Sequence, residues 1–362
     1  MAGDGIAASA ILTGFAAPMQ SADRPTRLDL VSPMLIITGS DDNYVPGVLV
    51  LIASAAFHNP QARFAVLDMG IKAENRARID RLARRLGIEI RRHEVSDGCF
   101  DHLTIKRAHL SRSTYLRLLI PDMFPDEERV IYMDCDMVVM GDLSPLDRVD
   151  LGDSFVGAVP CPSPDPVEVA ACGHDTGTYV NAGLLVMNLP LWREEKLAER
   201  CIALLTDPSR PLLSEDQSAV NILARGRILH LDLAYNTYSD PSSYDRVEDF
   251  PHPPVVLHYV VNNKPWNIPI PLADIWNFHA AQIADLMPPR KKLTLRRRLS
   301  LWNRDRKLVM GRTMRRHKYR NRDQVIQAMR RIEADYIAIA TRGASLRGRM
   351  SPAGEPQAGS LA

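Results

Sequence analysis

Two carboxylates stand two residues apart at the point where an apolar segment ends. The segment from Arg129 to Met133 is typical of a central strand in a parallel sheet, and Asp134 and Asp136 come immediately after it. Hard oxygen ligands suit Mg²⁺ or Mn²⁺, which usually leave coordination positions open for substrate oxygens. The pair could equally end the strand and cap the next turn. The spacing therefore raises the hypothesis of a divalent-metal site.

A histidine and a lysine late in the chain have side chains that could complete such a site. His258 closes an apolar run that predicts a strand over 255–259, and Lys264 follows it through a turn. A neutral imidazole can join two carboxylates around a divalent ion. A lysine is a point charge that can neutralise a phosphate. Taken alone, the two residues could instead be a hydrogen-bonded core histidine and a solvated turn lysine.

Alternating strands and helices must position these residues. Apolar runs over 34–38, 63–68 and 88–91 predict strands, and helices are predicted over 44–57 and 74–86. This βαβαβ order predicts an α/β fold with a parallel sheet and helices on both faces. Further elements are expected as a helix near 111–120, a strand over 183–187, a helix opened by Pro190 and a short helix over 214–223.

Length and composition favour a large α/β domain with an appendage, or two domains. The chain has 362 residues, of which 46% are hydrophobic, enough for a sizeable core. Its five cysteines show no C-x-x-C spacing, so neither a zinc nor a redox motif is indicated and a reducing cytoplasm is the simplest setting. No apolar run approaches the ~20 residues that span a bilayer.

The formal net charge of +2 hides an uneven distribution of charge along the chain. Residues 1–289 hold 25 lysines and arginines against 38 acidic residues, whereas residues 290–322 hold 15 basic residues and one acid, Asp305. An acidic body is therefore followed by a separate cationic segment. The boundary between them is expected at Pro288 and Pro289, because two prolines interrupt regular structure.

The cationic segment mixes basic and apolar side chains. They include Lys291, Lys292, Arg296, Arg297, Arg298, Arg315 and Arg316, with Leu293, Leu295, Leu299 and Trp302 between them. Such a pattern attracts anionic lipid head groups, at about 1 kcal/mol per cation near the surface. Nucleic acid would attract the same charges, but the acidic body and the lack of a nucleic-acid motif disfavour it. A plain solvated helix is the alternative.

The ends of the chain have other expected properties. Residues 1–30 are small and apolar without a basic start, which favours a disordered leader over a signal peptide. Beyond the cationic segment, a helical stripe could dock on the body or on a partner; it consists of Val325, Ile326, Met329, Ile332, Tyr336 and Ile337. Residues 343–362 are expected to be disordered.

Six segments in a fixed order resemble one family. They are Asp41-Asp-Asn-Tyr44, Ser113-Thr-Tyr-Leu-Arg117, Asp134-Cys-Asp136, Asn181-Ala-Gly-Leu-Leu-Val-Met-Asn188, Glu215-Asp-Gln217, and the run from His258 to Trp266. Together they are similar to glycosyltransferase family 8, the retaining bacterial galactosyl- and glucosyltransferases of lipopolysaccharide synthesis, related to glycogenin. The resemblance covers roughly residues 31–280. It implies a GT-A fold, a single Rossmann-like nucleotide-sugar-binding domain over 31–288, followed by a basic helical tail over 289–342.

The resemblance also implies ligands and their binding residues. The donor would be UDP-galactose or UDP-glucose, and the cofactor Mn²⁺, with Mg²⁺ as the alternative. Asp134 and Asp136 resemble the metal pair of the family, and His258 its third ligand. Asp41 and Asn43 match positions that meet the uracil and the ribose, at the carboxyl end of a strand where α/β folds bind ligands. Helix capping is an alternative role for these two residues.

The remaining matched residues would surround the donor phosphates and sugar. Arg117 resembles an arginine that approaches the phosphate or the hexose, Asn181 a residue near the sugar, and Lys264 the lysine on the diphosphate. Asp216 and Gln217 resemble the catalytic pair beneath the transferred hexose. For Gln217 the local sequence offers another role, because Ser214-Glu-Asp-Gln217 fits a capping box in which Gln217 returns to the cap.

One segment departs from the pattern of the family. Relatives commonly have an acidic residue after the strand at Val156–Val159, near the sugar or acceptor, but this chain has Pro160-Cys161-Pro162. The first acid afterwards, Asp165, is out of register. Retention of configuration could use an enzyme nucleophile or same-face attack guided by the leaving phosphate. Gln217 is a poor nucleophile, which favours same-face attack.

These observations predict a retaining, metal-dependent transferase that moves galactose or glucose from a UDP-sugar to a saccharide or glycolipid acceptor. We expect a cytoplasmic protein, peripheral at the inner face of the cytoplasmic membrane, and no nucleic-acid partner. A haloacid-dehalogenase-type phosphatase also ends a strand with Asp-x-Asp, but that strand is usually the first. The third possibility is a non-catalytic membrane adaptor with a decayed sugar site.

Overall fold

The computed structural model describes residues 33–350 apart from 102, 104–111, 208, 210, 211, 261, 262, 291, 292, 315 and 316. The expectations for the leader, for Lys291, Lys292, Arg315 and Arg316, and for residues 351–362 lie outside the described residues.

A mixed sheet is the centre of the fold. Its strands are β1 (Leu35–Ser40), β2 (Arg63–Asp68), β3 (Ile90–Glu94), β4 (Arg129–Met133), β6 (Val156–Pro160), β7 (Val180–Asn188) and β8 (Ile228–His230). Their order is β3-β2-β1-β4-β7-β6-β8. The pairs β1–β2, β2–β3, β1–β4 and β6–β8 are parallel, whereas β7 is antiparallel to both β4 and β6. The predicted parallel βαβαβ part is confirmed, but β4 has one parallel and one antiparallel neighbour.

A second, three-stranded sheet brings distant parts of the chain to the end of β4. It consists of β5 (Met137–Val139), β9 (Thr237–Tyr238) and β10 (Val256–His258), with β10 in the centre. His258 is the register partner of Met137 on one side and of Tyr238 on the other. This register places the imidazole beside the turn that carries Asp134 and Asp136.

The helices predicted from the sequence are present with one exception, and several further helices had not been predicted. They are α1 (Val45–His58), α2 (Ala73–Leu86), α3 (Ile120–Met123), α4 (Ser144–Arg148), α5 (Pro166–Ala171), α6 (Leu189–Glu194), α7 (Leu197–Thr206), α8 (Glu215–Leu223), α9 (Ala273–Gln282), α10 (Leu295–Thr313) and α11 (His317–Met350). The helix expected near 111–120 is a 3₁₀ helix over Arg112–Leu119 that continues into α3. Shorter 3₁₀ turns occupy Asp42–Tyr44, Asp97–Phe100, Leu233–Asn236, Pro241–Ser243, Val247–Asp249 and Ala284–Leu286.

Apolar side chains fill both faces of the central sheet. Successive residues of a strand point to opposite faces, so Ile36 packs into one cluster while Leu35 and Ile37 pack into the other. The first cluster contains most of α1, which is apolar around nearly its whole circumference and is buried accordingly. The carboxyl ends of β1 and β4 thus have firm support from both sides.

The long C-terminal helix α11 is partly buried against the body. On α11 the buried residues recur at helical spacing; they are Val325, Met329, Ile332, Tyr336 and Ala340. They join the core cluster of the body, so the predicted stripe docks on the body. This helix continues to Met350, and residues 343–350, expected to be disordered, are helical. Among the described residues no helix is both long enough and apolar enough to cross a bilayer.

Candidate active site

Eight of the ten predicted site residues line one cleft of about 380 Å³ at the end of the central sheet. They are Arg117, Asp134, Asp136, Asn181, Asp216, Gln217, His258 and Lys264. The other two, Asp41 and Asn43, line a neighbouring cavity of about 750 Å³. Tyr44 and Lys264 border both spaces, so the two are adjacent.

Close backbone packing holds the Asp134-Cys135-Asp136 turn. The amide of Asp134 donates to the carbonyl of Gly183 at 2.7 Å, which ties the turn to β7. On the opposite side, α1 approaches so closely that a Cβ on Gly47 would lie 2.3 Å from the Cys135 carbonyl oxygen. Glycine at position 47 is therefore required for the turn to sit against the first turn of α1.

Three potential ligand atoms converge at the mouth of this turn. Atoms from Asp134, Asp136 and His258 all lie within 4.8 Å of one another. The Nε2 atom of His258 is 3.3 Å from Asp136 Oδ1 and 3.9 Å from Asp134 Oδ2. Two carboxylates and an imidazole form a donor set that fits Mn²⁺ or Mg²⁺ in its chemistry. The residues present thus fit a divalent cation.

The remaining atoms of the two carboxylates are held by protein cations and a phenol. Asp134 Oδ1 accepts from Arg117 Nη2 at 3.0 Å and from the Tyr132 hydroxyl at 2.8 Å. Asp136 Oδ2 accepts from Lys264 Nζ, which also donates to the Tyr259 carbonyl at 2.7 Å. One oxygen of each carboxylate is thereby fixed, and the other faces His258.

Charge pairing keeps Asp136 ionised in spite of its burial. Burial would raise the pKa of the carboxyl group, but Lys264 and His258 outweigh it and hold that pKa well below its usual value. A carboxylate that is ionised at every ordinary pH is suited to a metal ligand. The same contact places the Lys264 ammonium, itself buried, at the junction of the two cavities.

Arg117 lies in the wall of the cleft between two acidic groups. Its guanidinium contacts Asp134 and lies 2.9 Å from Asp216 Oδ2, and it also donates to the Thr114 and Ala182 carbonyls. Burial raises the pKa of Asp216 to about 6 against the opposing effect of Arg117. Arg117 thus holds Asp134 and Asp216 in place by ion pairs, and its positive charge lies in the wall of the cleft.

The side chain of Gln217 points away from its own helix start. Its Oε1 accepts from Asn181 Nδ2 at 2.8 Å and from the Ala182 amide at 3.2 Å, and its Nε2 donates to the Tyr179 hydroxyl at 3.0 Å. The capping-box alternative is therefore wrong. The hydroxyl of Ser214 donates to Glu168 at 2.6 Å and makes no cap, and Glu215 begins the helix with a φ of 45°.

Asp41 has the capping role that was the alternative to nucleotide contact. Its Oδ1 accepts from the Asn43 amide at 2.8 Å and starts the 3₁₀ turn after β1. Capping leaves Asp41 and Asn43 on the wall of the second cavity, together with Tyr44, Lys264 and Trp276. This cavity is a suitable size for a nucleoside next to the metal ligands.

The segment that departs from the family pattern contributes a thiol to the cleft, and the helix after it, α5, contributes a carboxylate. Cys161 lines the cleft and its Sγ is 3.6 Å from the Tyr238 hydroxyl, while Asp165 caps α5 through the Val167 amide at 2.9 Å. Glu168, one turn into α5, is buried and also lines the cleft. A carboxylate thus reaches the cleft from α5.

Sequence reasoning missed three residues that organise this cleft: Glu168, Tyr179 and Asn236. Tyr179 could have been found, because it lies two residues before Asn181 on the same extended segment and so on the same face. Asn236 accepts from His258 Nδ1 at 2.9 Å, and Glu168 accepts from Tyr179 at 2.9 Å. Neither has a local motif that marks it.

Comparisons with known proteins identify relatives of this chain. The family model described as Glycosyl transferase family 8 matches residues 35–268. General stress protein A of Bacillus subtilis is 28% identical over 251 residues, covering 65% of this chain and 87% of that protein. Lipopolysaccharide 1,3-galactosyltransferase of Salmonella typhimurium is 27% identical, over 64% of this chain and 72% of that protein. Some streptococcal relatives are longer, and the chain spans about half of their length.

A solved structure matches as well. The galactosyltransferase LgtC, crystallised in complex with donor and acceptor sugar analogs, has a TM-score of 0.60 and 28% identity to this chain. The match covers 73% of this chain and 99% of LgtC. The fold of the body is therefore the GT-A fold of LgtC, to which this chain adds helical C-terminal residues.

Proposed function

The chain belongs to glycosyltransferase family 8, as the sequence pattern indicated, and on that premise we propose that it is a retaining, divalent-metal-dependent hexosyltransferase. The donor is UDP-galactose or UDP-glucose and the acceptor is a saccharide or glycolipid of lipopolysaccharide or another cell-surface glycan. The similarity to a lipopolysaccharide galactosyltransferase and to LgtC supports this assignment.

One observation carries the proposal. Oxygens of Asp134 and Asp136 and the Nε2 atom of His258 converge in the cleft that Gln217 also lines. A phosphatase of the haloacid-dehalogenase type does not belong to this family and ends its first strand with the motif, whereas here the motif follows the fourth. A decayed adaptor would have no reason to keep the three ligand atoms together.

The side chains divide the work of the reaction. When bound to Asp134, Asp136 and His258, Mn²⁺ would act as a Lewis acid toward the departing diphosphate. Lys264 places a fixed positive charge where the UDP oxygens become more negative, and Arg117 adds a second charge from the wall. Because amides are poor nucleophiles, Gln217 favours same-face attack of the acceptor and would orient the hexose.

The direct test is a turnover assay with purified full-length protein. UDP-galactose and UDP-glucose should be hydrolysed, or transferred to a saccharide, with Mn²⁺ and not with excess EDTA. NMR of a transfer product should show an α-linkage from the α-linked donor. Absence of turnover with either donor under all divalent ions tested would reject the assignment, and a β-anomer would reject retention.

We also propose that α10 holds the enzyme on an anionic membrane surface, at the cytoplasmic face where lipid-linked acceptors are built. Leu299 is 56% exposed and Trp302 58% exposed, and both stand among exposed cations that include Arg296, Arg298, Arg306 and Lys307. Apolar groups beside basic ones are the pattern of an interfacial helix. Membrane attachment would raise the local concentration of a lipid-linked acceptor.

Point substitutions test the membrane proposal, because truncation after Pro289 would also remove α11 and its buried stripe. Full-length protein should cosediment with phosphatidylglycerol vesicles, and less so as salt shortens the Debye length from ~10 Å at 0.1 M to ~3 Å at 1 M. Leu299→Gln with Trp302→Gln should lose most of this binding. Ile339→Gln, at an apolar residue of α11 that is 64% exposed, is the matched control. Equal binding by all three proteins would reject the proposal.

A further inference from the structure

A continuous series of hydrogen bonds connects the candidate metal ligand His258 with the buried carboxylate of Glu168. Each member contacts the next. The five distances, in order, are His258–Asn236 2.9 Å, Asn236–Asn181 2.8 Å, Asn181–Gln217 2.8 Å, Gln217–Tyr179 3.0 Å and Tyr179–Glu168 2.9 Å. All of its members except Asn236 line the cleft. It begins at His258 Nδ1, on the other side of the ring from the Nε2 atom that faces Asp134 and Asp136, and ends on α5.

Two backbone amides fix the direction of every donor in this series. The Gly183 amide donates to Asn181 Oδ1 at 3.0 Å, and the Ala182 amide donates to Gln217 Oε1 at 3.2 Å. A backbone N–H can only donate, so each of these side-chain atoms must be the amide oxygen. The orientation of Asn181 and Gln217 is therefore set by the main chain of β7.

The rest of the series follows from these two anchors. Asn236 turns its NH₂ toward Asn181 at 2.8 Å, so its oxygen faces His258, whose Nδ1 must carry the hydrogen. At the other end, Gln217 donates to the Tyr179 oxygen, and the Tyr179 hydrogen is left for Glu168. Every donor thus points from His258 toward Glu168. Aligned hydrogen bonds polarise one another, and a terminal carboxylate strengthens the last of them.

We infer that Glu168 is a positioning residue for the proposed reaction, acting through Tyr179 to hold the amide of Gln217. Glu168 is only 3% exposed and accepts from three hydroxyl groups, those of Tyr179, Ser214 and Ser218. Tyr179 immediately precedes β7, and Ser214 and Ser218 lie at the start of α8. The carboxylate therefore locks both segments that present Gln217 to the cleft.

Because Glu168 would act through Tyr179, its indirect role can be distinguished from a direct contact with the substrate. Without the Tyr179 hydroxyl, Gln217 loses the acceptor for its NH₂ group while its oxygen keeps both donors. The amide then has one free side and its average orientation broadens. Misorientation should lower turnover and leave the metal and nucleotide contacts intact, because those belong to other residues. This inference rests on the proposed hexosyltransferase function.

The experiment compares Tyr179→Phe, Glu168→Gln and the double variant in full-length protein, with Tyr336→Phe as the control. Tyr336 is a buried tyrosine whose hydroxyl contacts His58 and His279 at 2.8 and 2.7 Å, away from the cleft. UDP-hexose hydrolysis with Mn²⁺ gives kcat and KM. Selective ¹⁵N-glutamine labelling gives the side-chain amide signal of Gln217, assigned by its disappearance in Gln217→Leu, without any donor present.

The expected result is a kcat about tenfold lower in Tyr179→Phe and in Glu168→Gln, the rate loss that corresponds to one hydrogen bond of about 1.4 kcal/mol, with KM for the donor within about twofold. The double variant should be no slower than Tyr179→Phe, and the Gln217 amide signal should move in both single variants. Tyr336→Phe should lower the melting temperature and leave kcat and that signal unchanged.

Several outcomes would overturn the inference. A wild-type kcat in Tyr179→Phe would leave Glu168 a purely structural residue, and kcat losses that multiply in the double variant would mean that Glu168 acts independently of Tyr179. An unmoved Gln217 signal in Tyr179→Phe would overturn it even if no donor is turned over. Lack of turnover by the wild type with a Gln217 signal that does move would instead reject the proposed function alone.

Discussion

The two ends of the cleft are held by different forces. The metal end is formed by Asp134, Asp136, His258 and Lys264, and there the buried carboxylate of Asp136 forms an ion pair with the buried ammonium of Lys264. At the amide end, formed by Asn181, Gln217 and Tyr179, neutral groups exchange hydrogen bonds. Removing one partner of a buried ion pair leaves an uncompensated charge, whereas losing one neutral hydrogen bond costs only about 1 kcal/mol.

This difference separates what each end can control. The charged groups of the metal end can bind a diphosphate, so substitutions there should lower the affinity for UDP and the stability of the fold. The amide end contributes orientation, and damage there should appear in turnover. Variants at the two ends should therefore give opposite patterns of affinity and rate, and four experiments can break or sharpen that contrast.

The largest effect is expected from Asp136→Ala. UDP binding in the presence of Mn²⁺ should weaken by on the order of 100-fold or more, to the level that EDTA gives, because a ligand loss exceeds the 10–100-fold of outer-shell changes. The buried Lys264 ammonium also loses its partner, which should cost about 3–5 kcal/mol of unfolding free energy. Calorimetry and urea denaturation measure both. Asp126→Ala, at an exposed acid before β4, is the control, and undiminished UDP binding in Asp136→Ala would contradict the metal assignment.

Gln217→Ala should show the opposite pattern. We expect kcat to fall about 100-fold, the lower range for loss of a preorganised polar group, while the affinity for UDP and Mn²⁺ stays within a few fold. Steady-state hydrolysis together with calorimetry separates the two quantities. A loss of stability alone would favour a structural role for Gln217. A loss of UDP affinity would mean that the two ends do not control affinity and turnover separately.

Gly183→Ala tests the strand that joins the ends. A Cβ at this position would lie 2.5 Å from His258 Cε1, 2.8 Å from Asn181 Oδ1 and 2.9 Å from Met137 Cε, so at least one neighbour must move. We expect Mn²⁺ affinity and kcat each to fall about tenfold, although no candidate ligand is altered. Gly157→Ala in β6 is a control whose Cβ would be 3.2 Å or more from the nearest leucine atoms. Equal effects of the two substitutions would contradict a specific role for position 183.

The sequence pattern was a better guide to the metal end than to the amide end. Asp134 and Asp136 could be chosen because their residue types restrict their chemistry and they follow a strongly apolar strand, whereas His258, which closes a strand, was assigned by the family resemblance. Three strands of the parallel half could be placed for the same reason. Hydrophobic periodicity reports what is buried, and the ends of buried strands are where ligands bind.

Gln217 shows why the other end was harder to predict. The family resemblance implied a catalytic role for it, while the local spacing alone favoured a capping box; the Ser214 hydroxyl that would make that cap instead donates to Glu168, 46 residues earlier in the chain. Asn236 likewise contacts Asn181 across 55 residues. Contacts of this length depend on the packing of α5, α8 and the small sheet, which no local pattern contains.

A pH dependence distinguishes Asp216 from the candidate metal ligand Asp136 by its sign. Burial raises the pKa of Asp216 from its ordinary 3.8 to about 6, so the folded protein binds this proton more tightly than the unfolded chain does. The contribution of Asp216 to the unfolding free energy is thus fully present below about pH 4 and is lost as the pH rises through about 6. Asp216→Asn removes this contribution. The unfolding free energy of the wild type minus that of the variant should fall by about 2 kcal/mol between pH 4 and pH 6.5 and change little above that.

Asp136 should behave in the opposite way over the same range. Its pKa is depressed in the folded protein, so its stabilising contribution is present above about pH 4 and is lost only in more acidic solution. The difference in unfolding free energy between wild type and Asp136→Asn should therefore be constant from pH 4.5 to 7.5. Over part of the same range the corresponding difference for Asp216→Asn should change with pH. Urea denaturation at steps of half a pH unit measures both. A flat line for Asp216→Asn would mean that Arg117 dominates over burial and that Asp216 is as firmly ionised as Asp136.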